Sequence, residues 1–179
     1  DETVQKNINL LLAGDNVQLL SFGVDTGPRP GLAWFADGRL IDSLQLEDID
    51  SIASEINQII YYISPISSII RIGKGPKTLS NRIVNSCLNQ GLNVELVDEK
   101  NTSLGSRHDH ESSAKNIGLK SGIRIFNQLE VIPTKGEVRE IQRISRLVSN
   151  GKTTIPSNLA ISVAKGGLSL TEAINLHSG

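Results

Sequence analysis

Asp25 stands where an apolar run, Val17 to Val24, ends, inside Gly23-Val24-Asp25-Thr26-Gly27-Pro28-Arg29-Pro30-Gly31-Leu32-Ala33. Glycines and prolines then turn the chain back into a second apolar run, Leu32 to Phe35, which reads as two antiparallel strands with a carboxylate where the first leaves the core. An aspartate there is costly to bury unless it is paired or binds a cation. An Asx-turn, in which the side chain only accepts N–H groups of its own turn, explains it as readily. Carboxylates delivered from the ends of two strands and the start of a helix can converge at one sheet edge, and their oxygens suit Mg²⁺. Two such ions about 4 Å apart activate water and stabilise the leaving oxygen in phosphodiester cleavage, so no side-chain nucleophile is required.

Other residue types carry less chemistry. His108 and His110 flank Asp109, with Glu111 next, but alternating residues share a face only in an extended segment, and His177 lies far off. Solvated loop histidines are the favoured reading, ahead of proton transfer or a zinc site. The single cysteine, Cys87, excludes an internal disulfide and sits in an apolar helical pattern as a core residue. Arg139, Arg143 and Arg146 line one face at helical spacing, which suits successive phosphates. A solvated face partnered by Glu137 and Glu140 is the bland alternative.

The elements that must hold these residues follow from the pattern. At 179 residues, one domain plus an appendage is expected, and with aromatics at only 3% its core is aliphatic. No run approaches a membrane span and no secretory signal is readable, so a soluble cytoplasmic protein without membrane partners is expected. Residues 1–113 carry 9 Lys/Arg against 15 Asp/Glu, while 114–179 carry 9 against 4. An acidic part followed by a basic one suits a metal site beside a polyanion-binding surface.

In chain order, Thr3 to Ala13 carries a helical stripe ending at Gly14. Strands are predicted over 16–23, 31–36 and 39–46, the last two joined by the hairpin signal Asp37-Gly38. Glu47 to Ile63 changes to helical period with acids in its first turn. Ser67 to Ile72 reads as a central strand, and Gly73-Lys74-Gly75-Pro76-Lys77 leads to a helix that Thr78 can cap and that ends at Gly91. Asn93 to Val97 is the next strand, finishing on Asp98-Glu99. Helices between the later strands imply parallel pairing there and a mixed sheet. A helix over 109–119, stopped by Gly122, closes this part, and 123–132 reads as a strand or an extended linker. Past Pro133-Thr134-Lys135-Gly136, a long helix has Val138, Ile141, Ile144, Leu147 and Val148 on one stripe, and two short helices follow, broken at Gly166-Gly167.

This order resembles the RNase H-like fold, and within it the RuvC-type Holliday-junction resolvases and the related pre-16S ribosomal RNA nucleases. The resemblance spans about Val17 to Phe126. It rests on Gly23-Val24-Asp25-Thr26-Gly27 with Gly31-Leu32-Ala33, on Gly73-Lys74-Gly75-Pro76, on Val97-Asp98-Glu99-Lys100-Asn101-Thr102-Ser103, and on Asp109-His110-Glu111-Ser112-Ser113-Ala114. It implies metal-binding catalytic acids at Asp25, Glu99 and Asp109, with Asp98 and Glu111 as the nearest substitutes, and Mg²⁺ or Mn²⁺ as cofactor. Lys74, Lys77 and Lys100 are the expected nucleic-acid contacts of this part, and Arg139, Arg143 and Arg146, outside the resemblance, join them on their helical spacing alone. The chain departs from the pattern in a short segment between Glu99 and Asp109, in Ser112-Ser113 for a pair of alanines and in Lys100 for an arginine, so the third acid stays open.

The expectation is an α/β protein with an RNase H-like, mixed five-stranded sheet flanked by helices, divided as an N-terminal helix (1–15), a nuclease core (16–132) and a helical appendage (133–179). Its expected activity is metal-dependent cleavage of structured DNA or RNA. The competing class is a non-catalytic nucleic-acid-binding or assembly module that keeps the fold. A nucleotide-binding relative of sugar kinases would need two such lobes, and the chain is too short for both. The last helices serve either as a helix-turn-helix reader or as a homodimerisation arm.

Overall fold

The computed structural model describes residues 16–27, 29–98 and 110–178. The helix expected within 1–15 lies outside them. The chain divides into two compact units, 1–129 and 130–179.

In the first unit, β1 (Leu19–Asp25), β2 (Gly31–Ala36) and β3 (Arg39–Gln45) form the predicted antiparallel meander. Asp37 and Gly38 turn the second hairpin with φ of 48° and 81°, the left-handed backbone that an Asp-Gly pair adopts at low cost. The β2–β3 register slips between Trp34 and Phe35, a bulge. β4 (Ser67–Gly73) pairs parallel with β1, and β5 (Val94–Val97) pairs parallel with β4. Five strands were too few. A sixth, β6 (Ile123–Ile125), pairs antiparallel with β5 and gives a mixed sheet of order β3-β2-β1-β4-β5-β6. Three residues are too short a run for strand periodicity to register.

The helices cover both faces, which is why β1 is apolar almost throughout rather than alternating. On one face α1 (Ile52–Ile63) and α2 (Lys77–Asn89) close the main core. Leu20, Phe22, Val24, Trp34, Ile70 and Ile72 of the sheet are buried there with Ile52, Ile56, Ile83 and Cys87 of the helices. On the other face α3 (His110–Gly118) packs against Ala33 and Phe35 through Ala114. Three helix boundaries differ from expectation. Asp48 Oδ1 accepts the N–H groups of Asp50 and Ser51 at 2.9 and 3.0 Å, so residues 47–51 form a turn and the helix starts only at Ile52. Pro76, not Thr78, occupies the N-cap position of α2, and Thr78 is buried inside its first turn. α3 stops at Gly118, short of Gly122.

The Gly23–Gly118 contact sets how closely α3 approaches the sheet. A Cβ on Gly23 would lie 2.0 Å from the Ala114 carbonyl oxygen and 2.4 Å from the Gly118 nitrogen, and one on Gly118 would lie 2.5 Å from Phe35 Cε2. Helix backbone therefore rests directly on strand backbone.

Burial pushes the Cys87 thiol up to about 12. At pH 8 only about one molecule in ten thousand would carry the thiolate. Native protein is therefore expected to resist a thiol reagent that labels it fully in guanidinium. Rapid labelling without denaturant would refute the burial.

The second unit is a three-helix bundle of α4 (Lys135–Val148), α5 (Ser157–Lys165) and α6 (Leu170–Ser178). Thr134 opens α4 with a capping box, its hydroxyl accepting the Glu137 N–H while Glu137 Oε2 accepts the Thr134 N–H. The core is small, built on Ile155, Ala160 and Ala173. The stripe expected to bury α4 is displaced. Val138 and Ile141 face the core, but Leu147 and Val148 are exposed and Ser145 is fully buried in their place. The cause is polar. Ser145 Oγ accepts the Ile155 N–H at 3.1 Å, and Gln142 Nε2 donates to the Ile155 carbonyl at 3.0 Å, so α4 turns this side toward the incoming chain.

Candidate active site

Strand direction and register assemble one edge of the sheet. β1, β4 and β5 run parallel, Val24 is level with Ile72, and Gly73 is level with Val97. Asp25, Gly73 and Val97 therefore end three neighbouring strands at one height. Strand spacing puts the Asp25 backbone about 5 Å from β4 and about 10 Å from β5. Asp25 is half-buried, while Asp98, one residue past β5, is exposed.

The loops after β1 and β4 are tied together. Thr26 is buried, and its hydroxyl donates to the Gly73 carbonyl at 3.4 Å, an oxygen that also accepts from Ser80 Oγ at 3.3 Å. Any Cβ on Gly75 would meet Thr26 Oγ1 at 2.1 Å. The Lys74 N–H donates to the Val97 carbonyl at 3.0 Å, carrying the β4–β5 ladder one residue past Gly73. Lys74 and Lys77 are exposed, and α2 has no acidic residue in its first turn. Positive charge and a helix N-terminus thus border the Asp25 edge.

Of the other acids, Glu111 lies in the first turn of α3 and accepts a hydrogen bond from Ser43 Oγ at 3.2 Å. Ser43 is level with Ala33, which is level with Gly23, so this contact is two strands from β1 and two residues below Asp25. Glu111 is thereby engaged with β3 through Oε2. Glu99, Lys100, His108 and Asp109 lie outside the described residues, and His110 opens α3. Among the described residues no three carboxylate, imidazole or thiolate side chains converge to hold a metal. Asp25 and Asp98, at the ends of β1 and β5, are hard oxygen donors of the kind Mg²⁺ and Mn²⁺ take.

At the far end of α3, Arg71 on β4 donates through Nη1 to the Gly118 carbonyl at 2.7 Å and through Nε to Glu95 Oε2 at 3.1 Å. The same oxygen of Glu95 accepts the Gly122 N–H at 3.2 Å. Sequence reasoning missed Ser43, Arg71 and Glu95. For Arg71 and Glu95 the available signal was a charge set among apolar neighbours, in Ile69-Ile70-Arg71-Ile72 and Val94-Glu95-Leu96-Val97, which demands a partner across the strands.

In the second unit, Arg139, Arg143 and Arg146 are all exposed on α4. Glu140 accepts both Arg143 Nε and Nη2 at 2.8 and 2.7 Å, and that hydrogen bonding holds its carboxyl below the usual range. Glu137 is engaged in the capping box instead.

A family model described as a three helical bundle domain matches residues 134–178, the span of the three bundle helices. No curated protein matches the chain. No helix among the described residues is long and apolar enough to cross a membrane.

Proposed function

We propose that the chain is a metal-dependent nuclease with an RNase H-like core, hydrolysing phosphodiester bonds in structured DNA or RNA. The observation that carries this reading is the common height of Asp25, Gly73 and Val97, which brings a half-buried carboxylate, a glycine-rich basic loop and Asp98, the residue following β5, to one edge. The strand order, a meander followed by two parallel strands with intervening helices, is what the sequence resemblance implies for such a core.

Asp25 and Glu99 with Asp109 would hold the ion, Asp98 and Glu111 being the substitutes. Bound Mg²⁺ or Mn²⁺ would supply water activation and charge neutralisation at the leaving oxygen. Lys74, Lys77 and the N-terminus of α2 would draw the phosphate to the edge. A cytoplasmic location accords with this substrate class. The test is a Mg²⁺ or Mn²⁺ titration over four-way junctions, duplexes and structured RNA. Cleavage that requires the metal supports the reading, and binding without cleavage at any metal concentration rejects it.

One observation favours the non-catalytic alternative. Glu111 is hydrogen-bonded to Ser43 and so has a docking role in the fold.

The arginine face of α4 supplies the polyanion contact in either reading. Changing Arg139, Arg143 and Arg146 together to glutamine is expected to lower the slope of log K against log salt by about 2 to 3 for duplex DNA, near 0.9 for each phosphate no longer neutralised. An unchanged slope would assign the stripe to solvation alone.

A further inference from the structure

The margin of the sheet beyond β5 differs in charge from the rest of its unit. Residues 112–129 include Lys115, Lys120 and Arg124 and no Asp or Glu, although residues 1–113 carry an excess of acids. Glu95, the acid of the neighbouring strand and level with Arg124, is already paired with Arg71 at 3.1 Å. This margin therefore draws anions.

An aromatic ring stands among those cations. Of the three phenylalanines, Phe22 and Phe35 are buried, whereas Phe126 is 76% exposed. Arg124 Cζ lies 5.6 Å from the centre of the Phe126 ring, a cation–π contact that occupies one face and leaves the other to solvent. Both groups are held in place. Arg124 Nη2 donates to Asn93 Oδ1 and Asn93 Nδ2 to the Ser68 carbonyl, which ties the guanidinium to β4 through the residue preceding β5. On the other side of the ring, Asn85 of α2 exchanges two hydrogen bonds with the Leu129 backbone, at 2.7 and 2.8 Å. The chain is thus fixed before and after Phe126, which lowers the ordering cost of binding there.

The exposed apolar side chains of β6 do not extend this ring into a protein-docking surface. Ile123 alternates with Arg124 and shares its face with Ile125, which packs on the main core. A flat, cation-backed ring in basic surroundings matches a nucleobase with its phosphate. Bases of a single strand are free to stack in this way, while those of a duplex are already stacked on one another.

We propose that Phe126 and Arg124 form a stacking site for single-stranded nucleic acid, the Phe126 ring taking a base and Arg124 the adjoining phosphate. The assignment does not depend on whether the Asp25 edge cuts.

The experiment measures binding of a fluorescein-labelled oligothymidylate to the full chain by anisotropy, in EDTA so that no cleavage intervenes. Phe126→Ala is expected to weaken binding about tenfold or more, and Arg124→Gln to weaken it and lower the slope of log K against log salt by about 0.7. Inorganic polyphosphate supplies the charge without bases, and Phe126→Ala should leave its binding within about twofold of the wild type. Phe126→Trp adds a reporter, because Trp34 is fully buried, and its emission is expected to be quenched as a base stacks on it. Unquenched emission at saturating oligonucleotide, or Phe126→Ala binding as tightly as wild type, would overturn the proposal. Equal quenching by a blunt duplex would overturn it as well. Cleavage of junctions by a chain that fails these tests removes this site and leaves the nuclease reading, whereas stacking without cleavage supports the site and counts against that reading alone.

Discussion

On the proposed nuclease reading, Asp25→Asn is expected to lower metal-dependent cleavage by about a thousandfold or more, equivalent to roughly 4 kcal/mol of lost transition-state stabilisation. The substitution keeps the side-chain volume and one carbonyl oxygen but removes the charge that a hard cation requires. Because Asp25 ends β1 half-buried, outside the main core, its effect on unfolding free energy should stay within about 1 kcal/mol. Cleavage and urea denaturation measured on the same preparation separate the two roles. Loss of cleavage at near-native stability assigns Asp25 to the chemistry. Retained cleavage with a large loss of stability assigns it to its turn.

The second large effect is structural. Gly23→Ala is expected to destabilise the chain by at least about 3 kcal/mol, because the new Cβ meets the Ala114 carbonyl oxygen and the Gly118 backbone, which no side-chain rotation can clear. The helix has to lift off the sheet. Gly118→Ala meets the edge of the buried Phe35 ring at 2.5 Å and backbone only at 3.1 Å, the Gly23 nitrogen, so a smaller loss of about 1–3 kcal/mol is expected. Gly38→Ala serves as the comparison: nothing lies within 4 Å of its Cβ, and only its φ of 81° opposes the substitution, at about 1 kcal/mol. Denaturation midpoints should fall in the order Gly23, Gly118, Gly38, the first being the lowest. A Gly23→Ala protein as stable as Gly38→Ala would mean that α3 does not sit on the sheet as described.

Much of the sheet was legible because its determinants are local. The Asp37-Gly38 turn, the apolar run of β4 and the isoleucine face of α1 each announce themselves within a dozen residues. The misses share one cause, which is that tertiary partners decided them. Asp48 captured the N–H groups of its own turn and delayed α1. Ser145 and Gln142 turned α4 away from its most apolar stripe by binding Ile155, a pairing that no periodicity encodes. In the candidate site, Asp25 and the 73–76 loop were readable from residue type and placement. The engagement of Glu111 by Ser43 was not, because it joins residues 68 positions apart in sequence.

The two outermost strands bear on how this unit can associate. On one flank, β3 carries Arg39, Asp42 and Gln45 and meets β2 across the bulge at Trp34 and Phe35. On the other, β6 offers only three residues, with Arg124 at its centre. Charged, irregular or very short margins are poor templates for an incoming strand. The sheet is not closed on itself, yet both its margins disfavour lateral growth, so association of this unit through side-chain surfaces is favoured over a shared ladder of backbone hydrogen bonds.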